Sequence, residues 1–415
     1  TSATSLSVSA DTNLAADVTT SSTQQYDGAV TLSADVVLTT TNNNATFGST
    51  IDSDSTARNL TFNTGSGTVS VTGNVGSGAA LGIVTLTQTG GTTFSGTLDA
   101  ATVTLTDTAD AADITFAGSA TITTLNTAAQ PYNIVFNGAE NVITDLVTFA
   151  NTGTVTLGNG ASDVTTFTAG VTATDPSTVY VAGTIKAAGT AVITLGDSNT
   201  GVSVTATSTI GDNSTGTITL GDVTLADAVT LTIGKNGVAN TQNIRSISGT
   251  AEGSASNITL STSSTTTVSG NIGTDIATLN IDSGVTFEGT VTATTIDIAG
   301  SVTATFKNDV TLNTSATINS SATFLVASAG TPAAITVAGS ILGAIDGVGT
   351  VQITNTGGTT FSGTVGNTAN TLALINIDQD TTFSGSVEAT DINNASTTAT
   401  FSDNVTATIT NSGTL

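Results

Sequence analysis

The chain is 415 residues long and strongly acidic, with 30 aspartates and glutamates against five lysines and arginines and a formal charge of −25. Nucleic acids and anionic membrane surfaces bind clustered basic residues, so this charge balance argues against both as partners. Histidine, cysteine, methionine and tryptophan are absent, which excludes disulfides, thiolate metal sites and catalysis by Ser–His or Cys–His pairs.

Short runs in which apolar residues alternate with threonine follow one another along the chain. Residues 102–105 and 154–157 both read Thr-Val-Thr-Leu, and residues 229–233 read Val-Thr-Leu-Thr-Ile. A period of two residues is typical of a half-buried strand, and the Gly, Asn, Asp and Ser clusters between runs are typical of turns. Strong helix formers are scarce, so we predict an all-β chain with almost no α-helix.

The phenylalanines recur at a nearly regular interval. Twelve of the thirteen directly follow a threonine, and several open the phrase Phe-Ser-Gly-Thr, as at Phe94 and Phe361, or a close variant of it, as at Phe287 and Phe383. Phe94, Phe116 and Phe136 are 22 and 20 residues apart. Such a period predicts a parallel β-helix, or β-solenoid, of about 20 residues per coil. Phenylalanine rings and Thr or Asn side chains would then stack in ladders, with the threonine before each phenylalanine facing outward.

One stretch departs from the pattern, because residues 168–286 contain no phenylalanine, although the aliphatic alternation continues. We predict a single elongated solenoid over residues 1–415, with a weak boundary near residues 170–176 as the alternative. No run approaches the roughly 18 apolar residues of a membrane helix, so no membrane-spanning segment is predicted.

The ends and the composition favour an extracellular location. Residues 1–4 read Thr-Ser-Ala-Thr, without a basic region or an initiating methionine. We therefore expect either a mature secreted chain or a fragment. The absence of the easily oxidised residues cysteine and methionine fits a secreted protein or one on the extracellular cell surface.

Three groups of aspartates are candidate ligands for a metal ion. Two of them, at residues 52–54 and 378–380, place two carboxylates on one side of a strand or in one turn, and the third clusters in a predicted turn at residues 107–113. Calcium binds several hard oxygens, so bound Ca²⁺ is one interpretation. Aspartates that cap turns and solvate the surface are the other. The candidate ligands are Asp52, Asp54, Asp107, Asp110, Asp113, Asp378 and Asp380.

Catalysis has little support, and we predict that the chain is not an enzyme and has no catalytic or cofactor-binding residues. A glycosidase with two carboxylates would be chemically allowed. The four glutamates are scattered, however, and Tyr26, Tyr132 and Tyr180 are the only tyrosines that could stack on a sugar. Threonine arrays can also bind ice, but ice-binding faces need strict repetition and the coil length varies here.

The Phe-x-Gly-Thr/Ser-Val phrases, the Leu-Asn-Ile-Asp run at residues 279–282 and the glycine-rich segment at 343–349 resemble the passenger regions of bacterial autotransporter surface antigens of the rickettsial type. The phrases cover residues 70–105 and 265–415. The resemblance implies a secreted adhesin that also forms a surface layer. It supplies no functional residues, because such passengers share no catalytic motif.

From these observations we expect a cell-surface or extracellular-matrix structural protein or adhesin that self-associates into a filament or surface layer. The partners would be copies of the chain, arranged head to tail or in a lattice, with calcium bridging acidic faces. A host-surface molecule or a polysaccharide is a further candidate partner. The alternatives are a carbohydrate-binding or carbohydrate-cleaving β-helix like a phage tailspike, and then an ice-binding protein.

Overall fold

The computed structural model describes residues 2–250, 253–395 and 398–414, which form strands and turns without a helix. The chain divides into two compact units, Thr1–Gly216 and Thr217–Leu415. Each is built as a parallel β-solenoid, with about 22 residues per turn of the coil. This confirms the predicted fold class, with a coil slightly longer than expected. The continuity of one solenoid over the whole chain stays a prediction, and residues 170–176 lie inside the first unit.

The strands are short and follow one another with few residues between them. The first unit contains β1 (Ser2–Ala3), β2 (Leu6–Val8), β3 (Thr12–Leu14), β4 (Val18–Thr20), β5 (Gln24–Tyr26), β6 (Val30–Leu32), β7 (Val36–Thr39), β8 (Ala45–Phe47), β9 (Ile51–Ser53), β10 (Leu60–Asn63), β11 (Val69–Val71), β12 (Leu81–Gln88), β13 (Thr92–Phe94), β14 (Leu98–Leu105), β15 (Asp113–Phe116), β16 (Ala120–Thr127), β17 (Asn133–Phe136), β18 (Glu140–Ile143), β19 (Val147–Thr148), β20 (Thr154–Leu157), β21 (Val164–Phe167), β22 (Val171–Ala173), β23 (Thr178–Ala187), β24 (Ile193–Leu195) and β25 (Gly201–Ile210). The second unit contains β26 (Ile218–Leu225), β27 (Thr230–Gly234), β28 (Gln242–Gly249), β29 (Ser256–Ser261), β30 (Thr266–Val268), β31 (Ile276–Ile281), β32 (Val285–Phe287), β33 (Val291–Ile298), β34 (Thr303–Phe306), β35 (Val310–Ile318), β36 (Thr323–Val326), β37 (Ile335–Gly343), β38 (Thr350–Ile353), β39 (Thr359–Phe361), β40 (Leu372–Ile377), β41 (Thr381–Phe383), β42 (Val387–Asn394), β43 (Ala399–Phe401) and β44 (Val405–Asn411).

In the first unit each turn contributes to three parallel ladders, which we number one to three. Ladder one contains β2, β5, β8, β11, β13, β15, β17, β20 and the starts of β23 and β25. Ladder two contains β3, β6, β9, the starts of β14 and β16, then β18, β21 and the ends of β23 and β25. Ladder three contains β1, β4, β7, β10 and the ends of β12, β14 and β16, and resumes with β19, β22 and β24.

The second unit also has three ladders, numbered four to six. Ladder four contains the starts of β26 and β28, then β30, β32, β34, β36, β38 and the ends of β40, β42 and β44. Ladder five contains the ends of β26 and β28, the starts of β33, β35 and β37, and then β39, β41 and β43. Ladder six contains β27, β29, β31 and the ends of β33, β35 and β37.

The strands alternate between core and surface as the sequence predicts. In β13 the ring of Phe94 is fully buried, whereas the preceding Thr93 is exposed. Along β15, Ile114 and Phe116 point into the core. Burying one such apolar side chain stabilises the fold by roughly 1.5 to 3 kcal/mol. Every coil therefore depends on its neighbours to cover its apolar side.

The predicted stacking of phenylalanine rings is confirmed, but the rings form separate columns on different ladders. In ladder one the ring of Phe116 lies between Phe94 and Phe136, with centroids 5.6 and 4.7 Å away. Nearly parallel aromatic rings at such distances attract one another beyond the burial of their surface. The second unit holds two further columns, Phe287–Phe306–Phe324 in ladder four and Phe361–Phe383–Phe401 in ladder five.

The glycine two residues after many of these rings has a steric role. Gly96, Gly118 and Gly138 lie above one another at the same corner of successive turns. A Cβ atom on Gly118 would lie 2.3 Å from the carbonyl oxygen of Gly96, and one on Gly138 would lie 2.5 Å from that of Gly118. The Phe-x-Gly phrase thus combines a buried ring with a corner where successive backbones approach too closely for any side chain.

This close approach predicts that Gly118→Ala destabilises the protein by about 1 to 3 kcal/mol, the usual cost of forcing extra atoms into a packed interior. Gly284→Ala is the matched control, because the nearest atom to its Cβ would be a carbonyl oxygen 4.0 Å away. Urea unfolding followed by circular dichroism measures both. If the two variants had equal free energies of unfolding, the backbone would not be packed too closely at Gly118 to accept a Cβ atom.

Candidate functional site

Asp52 and Asp54, the first candidate ligand pair, both have hydrogen-bond donors from their own chain. Asp52 lies in β9, and its Oδ1 accepts a hydrogen bond of 2.7 Å from the backbone N–H of Gly78. Asp54 forms a two-point ion pair with Arg58, in which Nε and Nη2 donate over 3.0 and 2.7 Å. The hydrogen bond from Arg58, and then that from the Thr56 N–H, lower the pKa of Asp54. Its charge is balanced within the chain.

Asp107 and Asp110 of the second group lie together, whereas Asp113 lies apart. The first two line a shallow depression of about 300 Å³ in the first unit, which Asn42 also lines. Asp113 belongs to β15, and its Oδ1 accepts a hydrogen bond of 2.9 Å from Nδ2 of Asn133. Two carboxylates with neighbouring amide and hydroxyl oxygens are donors of the kind that calcium binds. Within the described residues, no cluster of three acidic side chains is placed to hold a metal ion.

The third pair, Asp378 and Asp380, lies after β40 and accepts hydrogen bonds from earlier and later turns. The side-chain amide of Gln352 donates to Asp378. The backbone N–H of Thr398 donates to Oδ1 of Asp380 over 2.9 Å. The two carboxylates therefore connect to different turns of the coil.

Gln352 also begins a ladder of amide side chains on the surface of the second unit. Nδ2 of Asn376 donates to Oε1 of Gln352 over 2.9 Å, and Nδ2 of Asn393 donates to Oδ1 of Asn376 over 3.1 Å. These residues are strand partners on successive turns. The predicted asparagine ladder is thus confirmed.

Many aspartates and asparagines in turns share a structural role that the sequence analysis missed. Their Oδ1 atom accepts a hydrogen bond from a backbone N–H about one coil later. Asp and Asn side chains readily accept hydrogen bonds from backbone N–H groups, and nearly all of these bonds lie at exposed positions. The sequence signal is an Asp or Asn one coil length before another turn. The acceptor and donor pairs include Asp11 and Ala29, Asp35 and Asn59, Asn42 and Ser66, Asn44 and Thr68, Asn59 and Ile83, Asn74 and Thr97, Asn133 and Thr154, Asn271 and Thr290, and Asp309 and Thr336.

Asp282, the last residue of the Leu-Asn-Ile-Asp run, is half-buried and lies near the negative charge of Asp297. Burial, followed by the negative charge of Asp297, raises the pKa of Asp282. Asp297 itself accepts a hydrogen bond of 2.8 Å from Nδ2 of Asn319. A negative charge about one strand spacing away, roughly 4.8 Å, disfavours the ionised form of a half-buried carboxyl.

Two of the three tyrosines are core residues and not surface platforms for a sugar. Tyr26 and Tyr132 are fully buried, and only Tyr180 faces outward, half-buried. The Tyr26 ring stacks on Phe47 with centroids 4.8 Å apart, and its hydroxyl donates to Oε1 of Gln24 over 3.3 Å. Burial raises the pKa of Tyr26 to about 12. The structure therefore removes two of the three aromatic residues on which sugar binding could depend.

A second depression, of about 390 Å³, lies on ladder four and is lined mainly by threonines. Gly284 directly precedes β32, and its missing side chain leaves open space, because the nearest atom to an added Cβ would be the Thr303 carbonyl oxygen 4.0 Å away. The lining has no charged residue. Its chemistry is therefore limited to hydroxyl hydrogen bonds and methyl contacts.

No protein-family model, curated protein or solved structure matches this chain. The functional argument therefore depends on the geometry described above, and the likeness to autotransporter passengers stays a prediction. In the part of the chain that the structure describes, no helix is long and apolar enough to cross a membrane.

The buried phenol of Tyr26 predicts a loss of stability at high pH. Its folded pKa of about 12 exceeds the ordinary value near 10, so the neutral form is favoured by folding. The stabilisation is complete below about pH 10 and is lost as the pH rises through 12. Tyr26→Phe should make this dependence shallower than in the wild-type chain, and the rest should come in part from Tyr132, whose pKa burial also raises. Unfolding free energies in urea between pH 8 and pH 12 measure the slope, and equal slopes in Tyr26→Phe and the wild-type chain would contradict the role of Tyr26.

Proposed function

We propose that this chain is a structural or adhesive protein of the cell surface or extracellular matrix, which self-associates into a filament or surface layer. The observation that carries the proposal is the repetition of outward polar files along each unit. Thr267, Thr286 and Thr305 are strand partners on ladder four, and the amide ladder from Gln352 to Asn393 continues the same arrangement. Such files present the same chemical group at intervals of about 4.8 Å.

Repetition favours binding through many weak contacts. A partner with a matching repeat engages several rungs at once, and the later contacts form within an already joined complex. A second copy of the chain carries the same repeat, because its sequence is identical. This is why self-association is favoured over capture of a small molecule in a deep pocket.

Charge sets the condition for association. A net charge of −25 makes copies repel one another unless cations or uncharged surfaces lie between them. Calcium is proposed as the cation, and Asp107 and Asp110 would hold it with oxygens of the residues around their shared depression. It would supply positive charge between acidic surfaces.

Electron microscopy of the purified chain tests this proposal. We expect filaments or sheets at millimolar calcium and dispersed particles after chelation with EGTA. Asp107→Asn with Asp110→Asn should raise the calcium concentration needed for assembly at least tenfold. Asp99→Asn with Asp391→Asn removes the same charge from other positions, and should raise the calcium concentration needed for assembly much less. Dispersed monomers at every protein and calcium concentration would refute the proposed self-association.

Ice binding is the second candidate function, and one structural observation favours it. The sequence argument against it was the variable coil length. On ladder three, however, Thr148, Thr172 and Thr194 remain exact strand partners although the intervals between them are 24 and 22 residues. The length differences fall in the turns, so a regular threonine file is compatible with them. Thermal hysteresis, the gap between the melting and freezing temperatures of an ice crystal in the protein solution, tests this function. Its absence would exclude ice binding.

A further inference from the structure

The large aliphatic side chains that the first unit exposes lie in strands of one ladder or directly before them. Among its described residues these are Val37, Ile83, Leu146 and Val192, with exposed fractions of 37, 40, 61 and 46%. Val37 lies in β7 and Ile83 in β12, while Leu146 and Val192 directly precede β19 and β24. All four therefore lie on the outer side of ladder three. They lie two or more turns apart, so they recur along one side of the unit and do not form a contiguous apolar patch.

A file of threonines runs beside these aliphatic residues, with Thr85, Thr148 and Thr194 two residues after Ile83, Leu146 and Val192. Thr61, Thr85 and Thr104 are strand partners on successive turns, and the file continues to Asn126. After the break in the ladder a second file follows, formed by Thr148, Thr172 and Thr194. We call the outward residues of ladder three from β10 to β24, together with Leu146 and Val192 directly before β19 and β24, the uncharged face; Val37 in β7 lies one turn before it.

The name reflects the composition of its strands. The ladder-three segments of β10, β12, β14, β16, β19, β22 and β24 contain no charged residue. Ladder two, by contrast, carries Asp52, Asp99, Glu140 and Lys186 in its strands. The carboxylate beside Leu146 belongs to Asp145, which accepts a hydrogen bond from Thr124.

We propose that the uncharged face packs against the same face of a second copy of this chain. The inference builds on the proposed self-association and names the surface responsible. Two copies that each carry a charge of −25 approach at lower electrostatic cost where the facing strands contain no charged residue. Apolar and threonine side chains on two flat sheets can interdigitate across about 10 Å, as they do in packed sheets inside proteins.

The size of the face sets the strength of the contact. Seven strands at about 4.8 Å extend over roughly 30 Å. With two side-chain columns the face covers roughly 400 Å² on each copy, which is half of the roughly 800 Å² per partner in a standard stable complex. A single contact is therefore weak, and assembly requires many copies that each form it.

Sedimentation velocity and light scattering of the full chain, over a range of protein concentrations and with calcium held constant, test this inference. Leu146→Glu with Val192→Glu places two charges on the face at exposed positions, and should raise the concentration needed for association at least tenfold. Thr121→Glu with Ile345→Glu adds the same charge outside the face, and should change it less than twofold. Leu146→Ser with Val192→Ser removes only apolar surface and should have an intermediate effect. Circular dichroism verifies that each variant is folded.

The outcomes separate this inference from the proposed function. If the wild-type chain associates and the Leu146 and Val192 variants associate equally well, the inference that this face forms the contact is overturned. The proposed self-association would then still stand. A wild-type chain that stays monomeric would refute self-association itself. If the glutamate variant lost thermal hysteresis but associated as the wild-type chain does, the face would bind ice. That result would overturn the inference that a second copy of the chain packs against it.

Discussion

In-register pairing between successive turns is the constraint on which the rest of this structure depends. Each strand bonds to the equivalent strand one turn away, so chemically similar residues lie directly above one another. Phe94, Phe116 and Phe136 consequently stack as rings, and Gly96, Gly118 and Gly138 stack at one corner. Like charges in the same arrangement would repel across about 4.8 Å. This accounts for strand faces of threonine and asparagine and for aspartates placed mainly in turns with donors of their own.

The same constraint connects the fold with the proposed function. A surface built by stacking equivalent residues repeats itself, and a repeating surface fits another copy of itself better than it fits a small ligand. The acidic total charge opposes that contact everywhere except on surfaces without carboxylates or with bound cations. In our proposal, the uncharged face would meet the first condition and a cation held at Asp107 and Asp110 would meet the second. The burial of Tyr26 and Tyr132 meanwhile weakens the case for a sugar-binding β-helix.

The sequence predicts the strands, the parallel coil and the ring stacking because these depend on local alternation and on a period of about 20 residues. It does not predict which ladder a phrase occupies, since that depends on the accumulated lengths of all preceding turns. Phe287 and Phe361 stand in similar phrases but belong to different ladders. The partner of Asp52 is likewise a backbone N–H 26 residues away. The gathering of Leu146 and Val192 on one face follows from register and is invisible in the residues alone.

The most direct measurement of the central claim is the distance between outward residues of successive turns. The chain has no cysteine, so Thr93→Cys with Thr115→Cys introduces two spin labels at positions that are strand partners in ladder one. The account predicts strong dipolar broadening of the electron paramagnetic resonance spectrum, from labels within about 10 Å of each other. Thr93→Cys with Thr121→Cys, on different ladders, should give a longer distance. A folded variant whose Thr93 and Thr115 labels lie more than about 20 Å apart would contradict the in-register coil.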